Sequence, residues 1–82
     1  MKVESDKQRD VVYFSFSTVD AARQVILGAG RIVDVAADET LVGVEFLSPS
    51  RGIDLSGVPR AVEIEREARR LGLIIRVPAS AA

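Results

Sequence analysis

From Arg31 to Leu47 the chain reads RIVDVAADETLVGVEFL, with apolar residues alternating on both sides of a short acidic turn. With Asp38 and Glu39 at the tip, Ala36 faces Leu41, Val35 faces Val42, Asp34 faces Gly43, Val33 faces Val44 and Ile32 faces Glu45. Successive side chains of a strand point to opposite faces. This register therefore gathers Val33, Val35, Val42, Val44 and Phe46 on one face, wholly apolar and mostly β-branched, as suits a pleated surface. Ile32, Asp34, Ala36, Leu41, Gly43 and Glu45 form the other face, which is mixed. A slip of one residue would turn the valines to the wrong side, so the pattern itself pins the register. Asp-Glu is not a favoured two-residue turn, and a four-residue loop, Ala37 to Thr40, keeps the same pairing.

The other elements arrange themselves around this hairpin. Met1 to Glu4 reads as an edge strand anchored by Val3, and SDKQRD after it as a polar turn. Val11 to Ser17 is a strand by its aromatic and β-branched content, with Val12, Phe14 and Phe16 on one side and Val11, Tyr13 and Ser15 on the other. Thr18 to Ala22 is a connection, Arg23 to Leu27 a further strand, and Gly28-Ala29-Gly30 a flexible turn. Ser48 to Gly52 is a loop, and Ile53 to Gly57 is irregular.

Helix signals follow. Pro59 stands near a first turn, Glu63, Glu65 and Glu67 come early, Arg69 and Arg70 come late, and Gly72 takes the position after the C-cap. Ala61, Ile64, Ala68 and Leu71 form a narrow apolar stripe at helical spacing. Leu73 to Val77 returns to β character until Pro78. The expected fold is α+β: an antiparallel β-meander of about four strands followed by one C-terminal helix and a short final strand. It forms one domain over residues 1–78, with a flexible tail over 79–82.

Such a sheet is apolar on one face and partly apolar on the other, while a single thin helix is available as cover. A lone subunit would leave apolar surface in water, so a homodimer is expected, by sheet-on-sheet packing or edge-strand pairing. The composition agrees, since 82 residues with no cysteine leave a small core without disulfides. The absence of histidine removes the usual general base and the commonest metal ligand. A net charge of −1 with interspersed signs lacks the basic excess of a nucleic-acid binder, so no nucleic acid is expected. No apolar run reaches membrane-spanning length, and MKVESDKQRD has no apolar signal region, so a cytoplasmic protein without membrane contact is expected.

The candidate chemistry is acidic. Asp34 and Glu45 fall on one face of adjacent strands, with Gly43 leaving space beside Asp34. Two close carboxylates are suited to acid/base work or to a divalent cation. Equally, each would be satisfied by a backbone amide or by an arginine such as Arg31 or Arg23. Asp6 and Asp10 bracket a turn without the ligand spacing of a calcium loop, so they are read as turn caps. Gly28-Ala29-Gly30 precedes a strand, the wrong order for a phosphate loop. Arg66, Arg69, Arg70 and Arg76 have a phosphate-binding look, but the interleaved glutamates make a solvated, salt-bridged face the simpler reading. Tyr13, Phe14 and Phe16 read as core rather than base-stacking residues. The serines have no histidine to activate them, so no catalytic residue and no cofactor is assigned.

Residues 2–53 resemble domain of unknown function family 2283, a set of small prokaryotic proteins. The resemblance is carried by Asp6, Asp10 and Tyr13 in SDKQRDVVYFSF, Asp34 in RIVDVAAD, Asp38 at the tip, and Gly43 and Glu45 in LVGVEFL. Ser5 and Val11-Val12 depart from the pattern, and the segment after Gly57 lies beyond it. It implies a small β-meander followed by a helix with no established activity, and it hints at an antitoxin role beside a small toxin. The expectation is thus a self-associating binding or accessory module rather than an enzyme. The alternatives are an antitoxin-like partner of a small protein and a weak metal-binding or acid/base site at Asp34 and Glu45.

Overall fold

A computed structural model of the chain describes residues 1–79. Its strands are β1 (Lys2–Asp6), β2 (Val11–Ser15), β3 (Arg23–Gly28), β4 (Arg31–Val35), β5 (Leu41–Leu47), β6 (Ile53–Asp54) and β7 (Ile75–Val77), with one helix, α1 (Ala61–Arg70). β1 to β5 form a sheet in the order β1-β2-β5-β4-β3, every neighbouring pair antiparallel. The connection over residues 16–22 carries the chain past the places later filled by β5 and β4, and Phe16 N–H donates to the Val42 carbonyl at 2.8 Å on the way. The expected meander, helix and short final strand are all present, with five strands in the main sheet.

The hairpin register follows the valine pattern with one local change. Ile32 faces Glu45, Val33 faces Val44 and Asp34 faces Gly43, as the alternation requires. Nearer the tip, Val35 pairs with Leu41 instead of Val42, and the register shifts between Asp34 and Val35. The cause is a three-residue loop, not a four-residue one. Ala36 N–H donates to Thr40 O at 2.9 Å, Glu39 N–H donates to Ala36 O at 3.0 Å, and Glu39 is left-handed at φ 72°. A turn followed by one left-handed residue is the usual three-residue hairpin connection. It offsets the pairing by one, and Val42, as the extra residue of a β-bulge, restores it. Val33, Val35, Val42, Val44 and Phe46 are all buried.

The covered face of the sheet is built on Val12, Phe14, Val33, Val35, Val44 and Phe46. Phe14 and Phe46 meet edge to face, with ring centroids 5.7 Å apart. Above them lie Ile53, Leu55, Val58, Ile64 and Ala68. Ile53 to Gly57 is therefore not merely irregular. β6 pairs in parallel with β7, and the intervening helix supplies the crossover that a parallel pair needs. A two-residue strand is too short to carry a periodic signal.

Helix α1 ends as its glycine foretells. Gly72 is left-handed at φ 77°, Gly72 N–H donates to Arg69 O at 3.0 Å, and Leu73 N–H donates to Ala68 O at 2.9 Å. This pair of bonds is the Schellman termination, whose hydrophobic contact comes from the residue after the glycine. Leu73 thus packs on the core, while Leu71, expected in the apolar stripe, is 45% exposed. The outer face carries the expected pairs, Glu65 with Arg69 at 2.9 Å and Glu67 with Arg70. Ala79, placed in the loose tail by its sequence, donates its N–H to Glu65 Oε1 at 2.7 Å. The remaining tail positions, 80–82, lie outside the described residues.

One polar tie crosses from sheet to cover. Arg31 projects from β4 and donates to the carbonyls of Gly28 at 3.0 Å and Leu27 at 3.1 Å, and also to the Ser56 carbonyl. Its guanidinium lies 3.9 Å from the carboxylate of Asp54 in β6, and the two side chains are only 11% and 12% exposed. Asp54 accepts from Ser56 N–H at 2.9 Å and Ser56 Oγ at 2.6 Å. Those two hydrogen bonds hold its carboxyl below the usual aspartate range, the hydroxyl contributing most, and the charges of Arg31 and Arg76 act in the same direction.

Candidate functional site

The uncovered face of the sheet holds the sequence candidates. Strand pairing lays it out in rows. Glu4, Tyr13, Glu45, Ile32 and Ile26 run across all five strands in one row. Lys2, Ser15, Gly43, Asp34 and Gln24 form the next row. Asp6, Val11 and Leu47 begin a third. Glu4, Asp6, Asp34 and Glu45 thus share a face with Lys2.

At its centre, Gly43 leaves a notch in the pleat. The Tyr13 ring fills it, so close that a Cβ on residue 43 would stand 2.2 Å from the phenolic oxygen. The ring crosses β5 and donates its hydroxyl to Asp34 Oδ2 at 2.9 Å. Gln24 Nε2 donates to Asp34 Oδ1 at 3.0 Å. Both oxygens of Asp34 are therefore occupied by neutral donors from the flanking strands. The expected arginine partners go elsewhere: Arg31 to Asp54 and Arg23 to Glu39. Asp34 and Glu45 do lie on adjacent strands of one face, yet the space beside Gly43 belongs to Tyr13. The cavities beside the helix, beside the β1–β2 turn and beside the β3–β4 turn are lined by other residues, not by Asp34 or Glu45. Among the described residues, no group of three or more metal-ligating side chains is placed to hold an ion.

Tyr13, which the sequence assigns to the core, is instead the neighbour that engages Asp34 on the open face. Its signal was parity, since it alternates away from Phe14 and Phe16. Its phenol is pushed up from 10.0 to about 12, first by burial, then by donation to Asp34, then by the charges of Asp34, Glu45 and Glu4. The folded state thus holds this proton more tightly than the unfolded chain does. The stability it contributes is present below pH 10 and is lost as pH rises towards 12. Tyr13 is the only tyrosine and tryptophan is absent, so near-ultraviolet tyrosinate absorbance reads this one group. A midpoint near 12 is expected, falling towards 10 in Asp34→Asn. A midpoint near 10 in the parent would separate Tyr13 from Asp34.

Asp6 caps its own turn, as expected, whereas Asp10 reaches across to a distant turn instead of capping its own. Asp6 Oδ1 accepts from Arg9 N–H at 3.0 Å. Asp10 accepts from Ser50 N–H at 3.2 Å and from the Ser50 hydroxyl, joining the first turn to the 3-10 turn Pro49–Arg51.

Compared with known proteins, the chain matches no family model, no curated protein and no solved structure. No helix among the described residues is long and apolar enough to cross a membrane.

Proposed function

We propose that this protein is a non-catalytic binding module that self-associates through the β3 edge of its sheet. The observation that carries this reading is the contrast between its two edges. β1 lines its open face with Lys2, Glu4 and Asp6, the charged protection that edge strands ordinarily have. β3 has no such protection: Ile26 is 75% exposed beside Ile32, and Arg23 is the strand's only charge. A two-fold axis through Ile26 sets Ile26 against its own copy and Val25 against Leu27, so apolar groups meet apolar groups. Sheet-on-sheet packing is disfavoured, because it would bring two copies of the acidic open face together. A cytoplasmic, prokaryotic setting and the family 2283 resemblance of residues 2–53 belong to the same proposal.

The test is light scattering over a concentration series. The parent is expected to be a dimer at high micromolar concentration. Ile26→Lys is expected to be a monomer with an unchanged fold, because the side chain it replaces is in water. A strictly monomeric parent, or a variant that dimerises equally well, would end the edge-pairing account. The antitoxin-like alternative draws on the acidic open face instead. It requires a small basic protein whose binding is lost on charge reversal at Glu4 and Glu45 and is retained in Ile26→Lys.

A further inference from the structure

Two features far apart in the sequence, the Gly28-Ala29-Gly30 turn and Arg76, meet in three dimensions. A cavity of about 410 Å³ opens between the β3–β4 turn, the end of β5 and β7, and Ala29, Gly30, Leu47, Arg51 and Arg76 line it. Sites for small ligands run from roughly 300 to 1,000 Å³. No carboxylate is among the lining residues.

Its arginines differ from most of the others, and only Arg66, on the helix, shares with Arg51 the lack of an ion pair among the described residues. Arg9, Arg23, Arg60, Arg69 and Arg70 each lie against a carboxylate of their own. Arg51 has no such partner among the described residues, and Arg76 approaches only Asp54, at 3.8 Å. Asp54 is already held by Ser56 and shared with Arg31. Arg31 and Arg76 thus share one carboxylate and Arg51 has none, and the two arginines that line the cavity donate to no protein acceptor within hydrogen-bond distance among the described residues. The stem of Arg76 is fixed, because its Cβ packs on Gly52, where an added Cβ would stand 2.8 Å away.

From this geometry we infer that the cavity binds a small phosphorylated ligand. Guanidinium forks match phosphate oxygens in pairs, and two uncompensated positive charges suit a dianion. Leu47, 43% exposed, offers an apolar wall to the rest of the molecule. A nucleic-acid polymer does not fit, because the acidic open face of the sheet would repel the neighbouring phosphates. This site lies at the turn after β3 and takes no residue of the strand itself.

The experiment is an amide-shift titration of the full chain with inorganic phosphate and with adenosine monophosphate, against sodium chloride at matched ionic strength. Saturable shifts centred on Gly30, Arg51 and Gly52 are expected with both phosphates and not with chloride. Arg51→Gln and Arg76→Gln are each expected to weaken binding about tenfold, the loss of one charged contact. Arg51 is exposed and outside the core, so Arg51→Gln keeps the test decisive if Arg76→Gln fails to fold. Shifts that rise linearly and match chloride, or saturable binding that Arg51→Gln leaves intact, would overturn the assignment.

Discussion

Arg31→Ala is expected to lower the unfolding free energy by about 3 kcal/mol, a fall in Tm of roughly 12–24 °C for a chain of this size. The reason lies in where the charge sits. The Arg31 side chain is 11% exposed and donates to the carbonyls of Gly28, Leu27 and Ser56. Removing it leaves those acceptors unpaired and takes a near countercharge from Asp54. Hydrogen bonds to a charged group contribute about 1.5–3 kcal/mol each, but Asp54 keeps its two bonds from Ser56, so the total stays below the sum. Arg31→Lys is expected to recover less than half of the loss, because an ammonium cannot reach several carbonyls as a planar fork does. Thermal and denaturant unfolding measure both variants. A change of less than about 1 kcal/mol for Arg31→Ala would reduce the sheet-to-cover tie to an ordinary surface pair.

Gly43→Val is expected to cost about 2–3 kcal/mol and to free Tyr13, lowering Tm by roughly 8–24 °C. The new Cβ would lie 2.2 Å from the Tyr13 oxygen and 2.3 Å from its Cζ, so the ring must leave. With it goes the hydrogen bond to Asp34. Glycine is itself a poor strand residue, worse than alanine by roughly 0.5–1 kcal/mol, so only the ring justifies its place here. That gives a change of sign to look for. In a Tyr13→Ser background, Gly43→Ala is expected to stabilise the protein, whereas in the parent it destabilises. The tyrosine titration supplies a second reading, since Gly43→Val should return its midpoint towards 10. An unchanged Tm together with an unchanged titration would mean that the ring does not lie over Gly43.

Much of this architecture was legible because its signals are local and periodic. The alternation through Val33, Val35, Val42, Val44 and Phe46 set the buried face, and glutamates, arginines and Gly72 marked out helix α1. Where reading failed, the deciding contact was long-range or the element was short. The loop at Ala37–Glu39 and its compensating bulge differ from a four-residue loop by a single residue. β6 exists only because β7, across the helix, pairs with it. Leu71 has the right spacing for the apolar stripe, yet the Schellman turn hands its place to Leu73.

The candidate site divides in the same way. By itself the sequence determined that Asp34, Gly43 and Glu45 share a face, because strand parity is a property of the backbone. It determined equally that neither histidine nor cysteine takes part. Only the tertiary structure decided what fills the notch at Gly43, since β2 reaches β5 through a pairing that no local pattern announces. It alone turned Arg31 towards Asp54 and brought Arg51 and Arg76 to one cavity beside the Gly-Ala-Gly turn. Side-chain direction along a strand follows from chemistry a few residues wide. Which charges become neighbours depends on how distant segments close on one another.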